Sequence, residues 1–268
     1  MKSALIVARP GRPVRLARVD ADAVGDCKSK DEAETKLKEL RDKFAILQEK
    51  LYAEAEQSLL IVFQAMDTGG KDGAIKSLFK GIDPAGLHIT SFKAPAPEEL
   101  KHDFLWRIHK AAPAKGMIGV WNRSHYEDVL IVRVKSLVEK KVWEKRYAHI
   151  NAFEQLLVNN RATLLKVYLH ISKDEQKARL QARLDDPQKI WKFNPGDLPE
   201  RERWNDYQKA YEDAINRCAT AHAPWYVVPA NQKWARDVAI AETVVAALEK
   251  MAPKFPKPAF DPKTIVIE

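Results

Sequence analysis

From Ser58 onward, short uninterrupted apolar runs alternate with longer stretches whose apolar residues recur at helical spacing. That alternation leaves the chain few folds to choose from. The runs are Leu59–Gln64, His88–Phe92, Met117–Trp121, Thr163–Ile171 and Trp225–Pro229. Several are continuously apolar rather than alternating, as strands must be when both faces of their sheet are covered. Helical patterns fall near 71–80, 97–112, 125–160 with a break, 172–184, 200–220 and 233–251. Strand–helix alternation of this kind predicts a parallel α/β sheet with right-handed crossovers.

Ahead of this region, Leu37, Leu40, Phe44, Leu47 and Leu51 form one stripe of an amphipathic helix over 30–57. Two heptads are short for a coiled coil, so the stripe reads as a core-packing face before it reads as a dimerising seam. Residues 1–29, with Pro10 and Pro13 and no sustained periodicity, read as an arm on the body. Residues 252–268 read as a surface tail closed by the extended run Thr264–Ile267. The whole of 1–268 is expected to be a single domain, a length sufficient for a well-buried core.

The first strand runs into Q-A-M-D-T-G-G-K-D-G, residues 64–73. In an open α/β sheet, ligands bind outside the carboxyl ends of the strands, which is where this segment falls. Gly69, Gly70 and Gly73 allow close backbone approach, the following helix offers free N–H groups, and Lys71 supplies a cation. This is phosphate-loop chemistry, although an ordinary Gly-Gly turn before a helix shares its local features. The pattern departs from G-x-x-x-x-G-K-[ST] twice, with Ala65 for the first glycine and Asp72 for the hydroxyl residue.

Asp67 is the puzzling residue. A bare carboxylate about 4 Å from a phosphate oxygen repels it by roughly 1 kcal/mol in water, and by about 4 kcal/mol at an effective dielectric near 20. An acid in such a loop makes sense with a cation between it and the phosphate, and Mg²⁺ uses one or two carboxylates plus phosphates and waters. Asp72 is expected to cap the helix or orient Lys71. A second acid should lie at the end of a neighbouring strand, where N-R-S-H-Y-E-D occupies 122–128. Asn122 carries no charge, so Glu127 or Asp128 must supply it; acids opening an exposed helix are the plainer alternative. Arg123 offers a planar fork suited to phosphate.

Further along, Arg179 and Arg183 share a helical face at i, i+4. A loop with Pro187, Pro195, Gly196 and Pro199 follows, carrying Lys189, Trp191, Lys192 and Phe193. This predicts a lid within 177–203 that closes cations over phosphates, as phosphoryl transfer requires. A solvated charged face would have the same composition.

Lys and Arg total 45 against 37 Asp and Glu, a formal charge of +8 that favours a polyanionic partner. Cys27 and Cys218 stand far apart without a C-x-x-C neighbour, which argues against a zinc site or a disulfide framework and fits a reducing cytoplasm. Only five consecutive apolar residues precede Arg9, too few for a signal-peptide core. No run approaches the ~20 residues that span a bilayer. The expected location is cytoplasmic, without a membrane partner.

Taken in order, these segments resemble polyphosphate kinase family 2. The resemblance covers residues 30–250 and is carried by Q-A-M-D-T-G-G-K-D-G, F-L-W-R-I-H at 104–109, N-R-S-H-Y-E-D-V-L-I-V-R-V at 122–134, H-I-S-K-D-E-Q at 170–176, W-K-F-N-P-G-D at 191–197 and A-P-W-Y-V-V-P-A-N at 223–231. N-R-S-H-Y-E-D is most similar to the family's third class, whose members phosphorylate nucleoside mono- and diphosphates; many other members have Asp where Asn122 stands.

The resemblance implies a thymidylate-kinase-like, P-loop kinase three-layer sandwich with a helical lid. It implies reversible transfer of the terminal phosphoryl group of inorganic polyphosphate to AMP or ADP, with Mg²⁺ or Mn²⁺, and an adenine or guanine nucleotide as second substrate. Residue by residue, it assigns Asp67 and Asp128 to the metal, with Asp128 preferred over Glu127, and Lys71 to the transferring phosphate. It assigns Arg123 and Arg133 to phosphate binding, Arg179 and Arg183 to closure from the lid, and Trp191, Phe193, Asn194 and Asp197 to the nucleotide side. Lys76, Lys80, Lys93, Arg107 and Lys110 are available as a polyphosphate track. His125 is expected to be structural rather than a phosphohistidine, because in-line transfer needs no covalent nucleophile. A homo-oligomer, dimer or tetramer, is expected.

Two rival functions share parts of this pattern. An ATP-dependent nucleoside monophosphate kinase would share the fold, since fold does not set the donor. A nucleic-acid binder would share the charge, but no RRM or zinc-finger pattern accompanies it.

Overall fold

Every residue of the strand Ser58–Ala65 is buried. Its side chains alternate between two core clusters, which is why the run is apolar throughout. Leu59, Ile61 and Phe63 join one cluster, and Leu60 and Val62 join another with Trp121, Phe153 and Leu157. The computed structural model describes residues 4–267; Met1–Ser3 of the expected arm and Glu268 of the expected tail lie outside the described residues.

In chain order the elements are β1 (Ile6–Ala8), α1 (Lys30–Glu54), β2 (Ser58–Ala65), α2 (Lys71–Leu78), β3 (Leu87–Ser91), α3 (Trp106–Lys110), β4 (Ile118–Asn122), α4 (Ile131–Val134), α5 (Lys140–Asn159), β5 (Ala162–His170), α6 (Lys173–Leu184), α7 (Asp197–Glu202), α8 (Trp204–Cys218), β6 (Trp225–Pro229) and α9 (Lys233–Met251). The sheet order is β1-β6-β5-β2-β4-β3. β3, β4, β2, β5 and β6 are parallel, in the register Leu60↔Gly119 and Leu60↔Leu164 around β2. Their carboxyl ends therefore open on one side, where 66–70, 123–128, 171–172 and 230–231 gather. α1 and α9 pack on each other and α9 on β5 and β6. α5 supplies Phe153 and Leu157 to the cluster that holds Leu60 and Val62. The result is a three-layer α/β sandwich.

Helix ends follow their capping residues. Ser29 accepts from Glu32 N at 3.2 Å while Glu32 accepts from Lys28 N, a reciprocal box at the start of α1. Ser172 accepts from Glu175 N at 3.1 Å to start α6. The α1 stripe faces the core: Leu37, Phe44 and Leu51 are buried, with Leu40 and Leu47 packed beside them.

Three expectations need correction. The arm is not wholly irregular, since β1 pairs antiparallel with β6, so the sheet is mostly rather than wholly parallel. Three residues are too few to register as a periodicity. The expected helix over 97–112 is reduced to a 3-10 turn at Glu99–Lys101 and the short α3. Here Glu99 accepts from Ala96 N and Asp103 from Leu105 N, local bonds that compete with a continuous helix. The 125–160 segment is a 3-10 turn at His125–Val129 followed by α4 and α5, with a left-handed Ser136 (φ 53°) between the two helices. At the tail, a 3-10 turn at Pro262–Thr264 takes in the first residue of the expected extended run, and Ile265 after it is extended.

Candidate active site

The turn from β2 into α2 is held by its glycines and by its carbonyls. A Cβ at Gly69 would lie 2.5 Å from the Ala65 Cβ. At Gly70, whose φ is 97°, it would lie 2.4 Å from the Arg236 guanidinium. Thr68 (φ 58°) and Arg123 (φ 63°) are non-glycine residues in the left-handed region, a conformation that costs about 1–3 kcal/mol and clusters at functional sites. Surrounding side chains hold the strained loop by its carbonyls. The Ala65 carbonyl accepts from Tyr211 at 2.9 Å and from Lys71 Nζ at 3.2 Å. The Asp67, Thr68 and Gly70 carbonyls accept from Gln176 (2.9 Å), Arg179 (3.2 Å) and Arg236 (3.3 Å). With these carbonyls engaged, the first-turn N–H groups of α2, which have no helical partner, are the loop's free donors.

Charge converges on this loop. Arg123 Nη2 lies 2.8 Å from Asp67 Oδ1. Burial pushes the Lys71 ammonium pKa down and the Arg123 guanidinium pushes it further; Asp67, Glu127 and Asp72 pull the other way. Burial pushes the Glu127 carboxyl up, against Arg123 and Lys71, and the nearby Asp67 adds to the rise. The Gln64 amide donates to Glu127 Oε1 at 3.1 Å and accepts from Ser124 N at 3.2 Å, which fixes the acid in place. Thr68 Oγ1 is buried and has no partner.

Glu127 is the acid that stands with Asp67 beside Lys71 and Arg123, whereas Asp128, the expected partner of Asp67, faces Arg146 on α5. Asp128 Oδ1 lies 2.8 Å from Arg146 Nη1 on α5, and the same guanidinium donates to the Asp128 carbonyl at 3.0 Å. In a 3-10 turn adjacent side chains project about 120° apart, so with Glu127 turned to the loop Asp128 projects toward α5. Burial raises the Asp128 carboxyl to about 6 even though Arg146 and Arg107 lower it.

Other predicted residues divide in the same way. Asp72 does not cap α2; it accepts from Asn122 Nδ2 at 2.6 Å, tying the loop helix to the end of β4. Arg179, expected to close from the lid, has its donors engaged by Glu175, Thr68, Ala230 and Asn231. Arg133 is not brought to the loop by its contacts: it pairs with Asp213 at 2.7 Å, donates to Tyr147 and stacks over Trp143. Gly73 lies in the first turn of α2 beside Arg236.

Arg183 donates to the Lys192 carbonyl at 3.0 Å with Asp197 at 3.7 Å, so its contacts lie within the expected lid segment. Burial raises the Asp197 carboxyl, Asp67 adds to the rise, and Arg183 and Arg123 oppose it, so this part of the lid faces the loop electrostatically. Lys189, Trp191 and Lys192 are exposed, Trp191 to 75%, Phe193 is partly buried, and Asn194 shapes its turn by accepting from Gly196 N at 2.9 Å. Among the track residues, Arg107 donates to the Lys93 carbonyl and packs over Phe92, Lys110 stacks on Trp106, and Lys76 and Lys80 are exposed. His125 is buried against Glu154.

Thr68, Gln176, Tyr211 and Arg236 escaped sequence reasoning. Thr68 and Gln176 sit inside quoted motifs, but only the folded backbone turns one into a strained hydroxyl and the other into a carbonyl clamp. Arg236, only 3% exposed, lies in an apolar helix, and a lone Arg in such a setting was the available signal.

This arrangement can receive a chain of phosphates: cations, free N–H groups and two acids surround one loop. A family model described as polyphosphate kinase 2 (PPK2) matches residues 27–256. An AMP/ADP-polyphosphate phosphotransferase from Meiothermus ruber is 52% identical over 222 residues, 83% of each chain. An ADP-polyphosphate phosphotransferase from Rhodopseudomonas palustris is 41% identical over 81% of this chain and 79% of its own. The crystal structure of a polyphosphate kinase 2 from Arthrobacter aurescens TC1 superposes with a TM-score of 0.92 at 47% identity, covering 94% of this chain and 91% of that one. With a glycine-rich, charge-lined loop at the end of its central strand and a match along most of its length, this chain belongs to the polyphosphate kinase 2 family.

Proposed function

We infer that the chain is a polyphosphate-dependent nucleotide kinase, moving the terminal phosphoryl group of inorganic polyphosphate to AMP or ADP and back again. The observation that carries this reading is the grouping of Lys71, Arg123, Asp67 and Glu127 around one phosphate loop. The printed names of the relatives support both acceptors.

Transfer of this kind calls for a divalent metal, and Mg²⁺ is proposed, with Mn²⁺ able to replace it. Among the described residues no cluster of three or more His, Cys, Asp or Glu forms a cation cage. A Mg²⁺ shared with phosphates does not need one; two acids beside a phosphate loop and the unpartnered Thr68 hydroxyl fit it. Asp67 and Glu127 would hold the ion, which when bound neutralises charge developing on the phosphates. Lys71 and Arg123 would bind the transferring group, and the N–H groups of α2 would orient it. Arg183 would keep the lid segment ordered while Lys189, Trp191, Lys192 and Phe193 cover the nucleotide. Positioning and charge stabilisation suffice for in-line transfer.

The same proposal includes a cytoplasmic, single-domain protein that binds neither nucleic acid nor membrane, and a homo-oligomer whose order light scattering would measure. No helix among the described residues is long and apolar enough to cross a membrane. The α1 stripe packs in the core, which supports its reading as a core-packing face.

A phosphorus NMR time course with Mg²⁺, polyphosphate and AMP, ADP, GMP or GDP tests the reading. Growth of nucleoside di- and triphosphate signals as the chain-end signal changes is the expected result. Phosphorylation of AMP from ATP but never from polyphosphate would establish the rival kinase instead.

A further inference from the structure

Gln176, Arg179 and Arg183 lie on one face of α6, at i, i+3 and i+7. Two of them hold the phosphate loop and one holds the lid. Gln176 reaches in both directions. Its Nε2 donates to the Asp67 carbonyl at 2.9 Å, and its Oε1 accepts from Arg201 Nη1 at 2.9 Å. Arg201 belongs to α7, at the end of the lid segment, and also donates to the Lys173 carbonyl at 2.6 Å. The amide orientation is dictated by its neighbours, since a carbonyl only accepts and a guanidinium only donates. Gln176 is 2% exposed, so in the closed arrangement its amide is satisfied by these protein partners. Next to Arg201 on α7, Glu200 accepts from Tyr207 at 2.5 Å and pairs with Lys135.

We propose that Gln176 is a positioning residue that couples the lid helix α7 to the phosphate loop through a single amide, so that the lid's position and the orientation of the Asp67 peptide are one equilibrium. When α7 shifts, Arg201 leaves Oε1, and the amide that fixes the Asp67 carbonyl loses its second anchor. The carboxylate and the Thr68 hydroxyl on that backbone then lose their aim. The proposal rests on reading 67–73 as the phosphate loop.

The test is a double-mutant cycle on Gln176→Leu and Arg201→Ala, with Gln176→Glu as a third variant, reading kcat per folded molecule, nucleotide KM and tryptic cleavage at Lys189 and Lys192. Each single variant should lower kcat about tenfold with KM changed less than about twofold, and the double variant should fall no further than the worse single. Gln176→Glu keeps an acceptor for Arg201 but puts an oxygen against the Asp67 carbonyl, so it should lose turnover like Gln176→Leu. A structural role alone would lower the folded fraction and leave kcat per folded molecule unchanged, which would overturn the proposal. So would losses that multiply in the double variant. Cleavage of the exposed lid turn without substrate should be several-fold faster in Gln176→Leu, and an unchanged rate would also overturn it. This last readout needs no activity, so a failure of the polyphosphate reading itself stays distinguishable.

Discussion

Arg123 donates to Asp67 across 2.8 Å, so the fork that suits a phosphate and the acid that suits a metal are paired with each other inside one site. An incoming polyanion must compete with Asp67 for that guanidinium, and it also meets the repulsion of the carboxylate. Asp67→Asn removes both obstacles and the proposed metal ligand together. Metal-free polyphosphate binding should therefore tighten roughly fivefold. Turnover with Mg²⁺ should fall on the order of a hundredfold. Titration calorimetry in chelator, set beside steady-state rates, checks the split. Weaker binding together with lower turnover would contradict the role given to Asp67.

The two acids of the Ser124–Val129 turn make opposite predictions. Glu127 faces Lys71 and Arg123, while Asp128 is committed to Arg146 on α5. Glu127→Gln keeps the shape and the Gln64 contact but removes the charge beside the loop, and turnover should drop about a hundredfold. Asp128→Asn should cost less than about tenfold, through loosening of the turn. Rates at saturating polyphosphate and a series of Mg²⁺ concentrations distinguish them. The reverse order would return the metal role to Asp128.

Asp128 also gives a pH signature. Burial raises its carboxyl from 3.8 to about 6 in the folded protein, despite Arg146. Between those values the folded state binds the proton more tightly than the unfolded chain. The residue's contribution to stability is therefore full below the unfolded value and lost as pH rises through about 6. The difference in Tm between wild type and Asp128→Asn should shift against the wild type from pH 4 to 7. A difference that moves in its favour over the same range would mean that the Arg146 pair outweighs burial.

These residues mark where sequence reasoning holds and where it stops. The strand cores and the positions of Lys71, Asp67 and Arg123 are legible because they follow from period and from the place of a loop at a strand end. The choice between Glu127 and Asp128 is not, because the turn after β4 is 3-10 rather than α-helical, and the rotation per residue decides which acid points inward. Arg179 shows the same limit: its spacing from Arg183 is right for one helical face, but what lies opposite each guanidinium is a tertiary fact. Thr68 becomes notable only once its backbone is left-handed and its hydroxyl buried.

The turn that carries Arg123 and Glu127 is anchored from beneath by a buried charge pair. Lys166 Nζ on β5 lies 2.6 Å from Glu154 Oε2 on α5, with both side chains fully buried. Tyr126 donates to Glu154 at 2.7 Å, His125 Nε2 lies 3.3 Å from the same carboxylate, and Lys166 also donates to the Cys218 carbonyl at 2.6 Å. Burial alone would raise the Glu154 pKa, but Lys166 and His125 bring it below the usual carboxylate value. Its contribution is thus present above the unfolded value of 4.5 and lost as pH falls through the folded one. Lys166→Met leaves a buried carboxylate uncompensated and should cost about 3–5 kcal/mol at neutral pH. The deficit should shrink as pH falls toward 4.5, because without Lys166 burial raises the Glu154 carboxyl and lets it take up a proton in the folded variant. Adding Glu154→Leu should recover part of the loss, because no charge is then left unpaired. Chemical denaturation across pH measures all three. A deficit independent of pH, or a double variant less stable than Lys166→Met, would show that packing rather than charge compensation holds Lys166 in place.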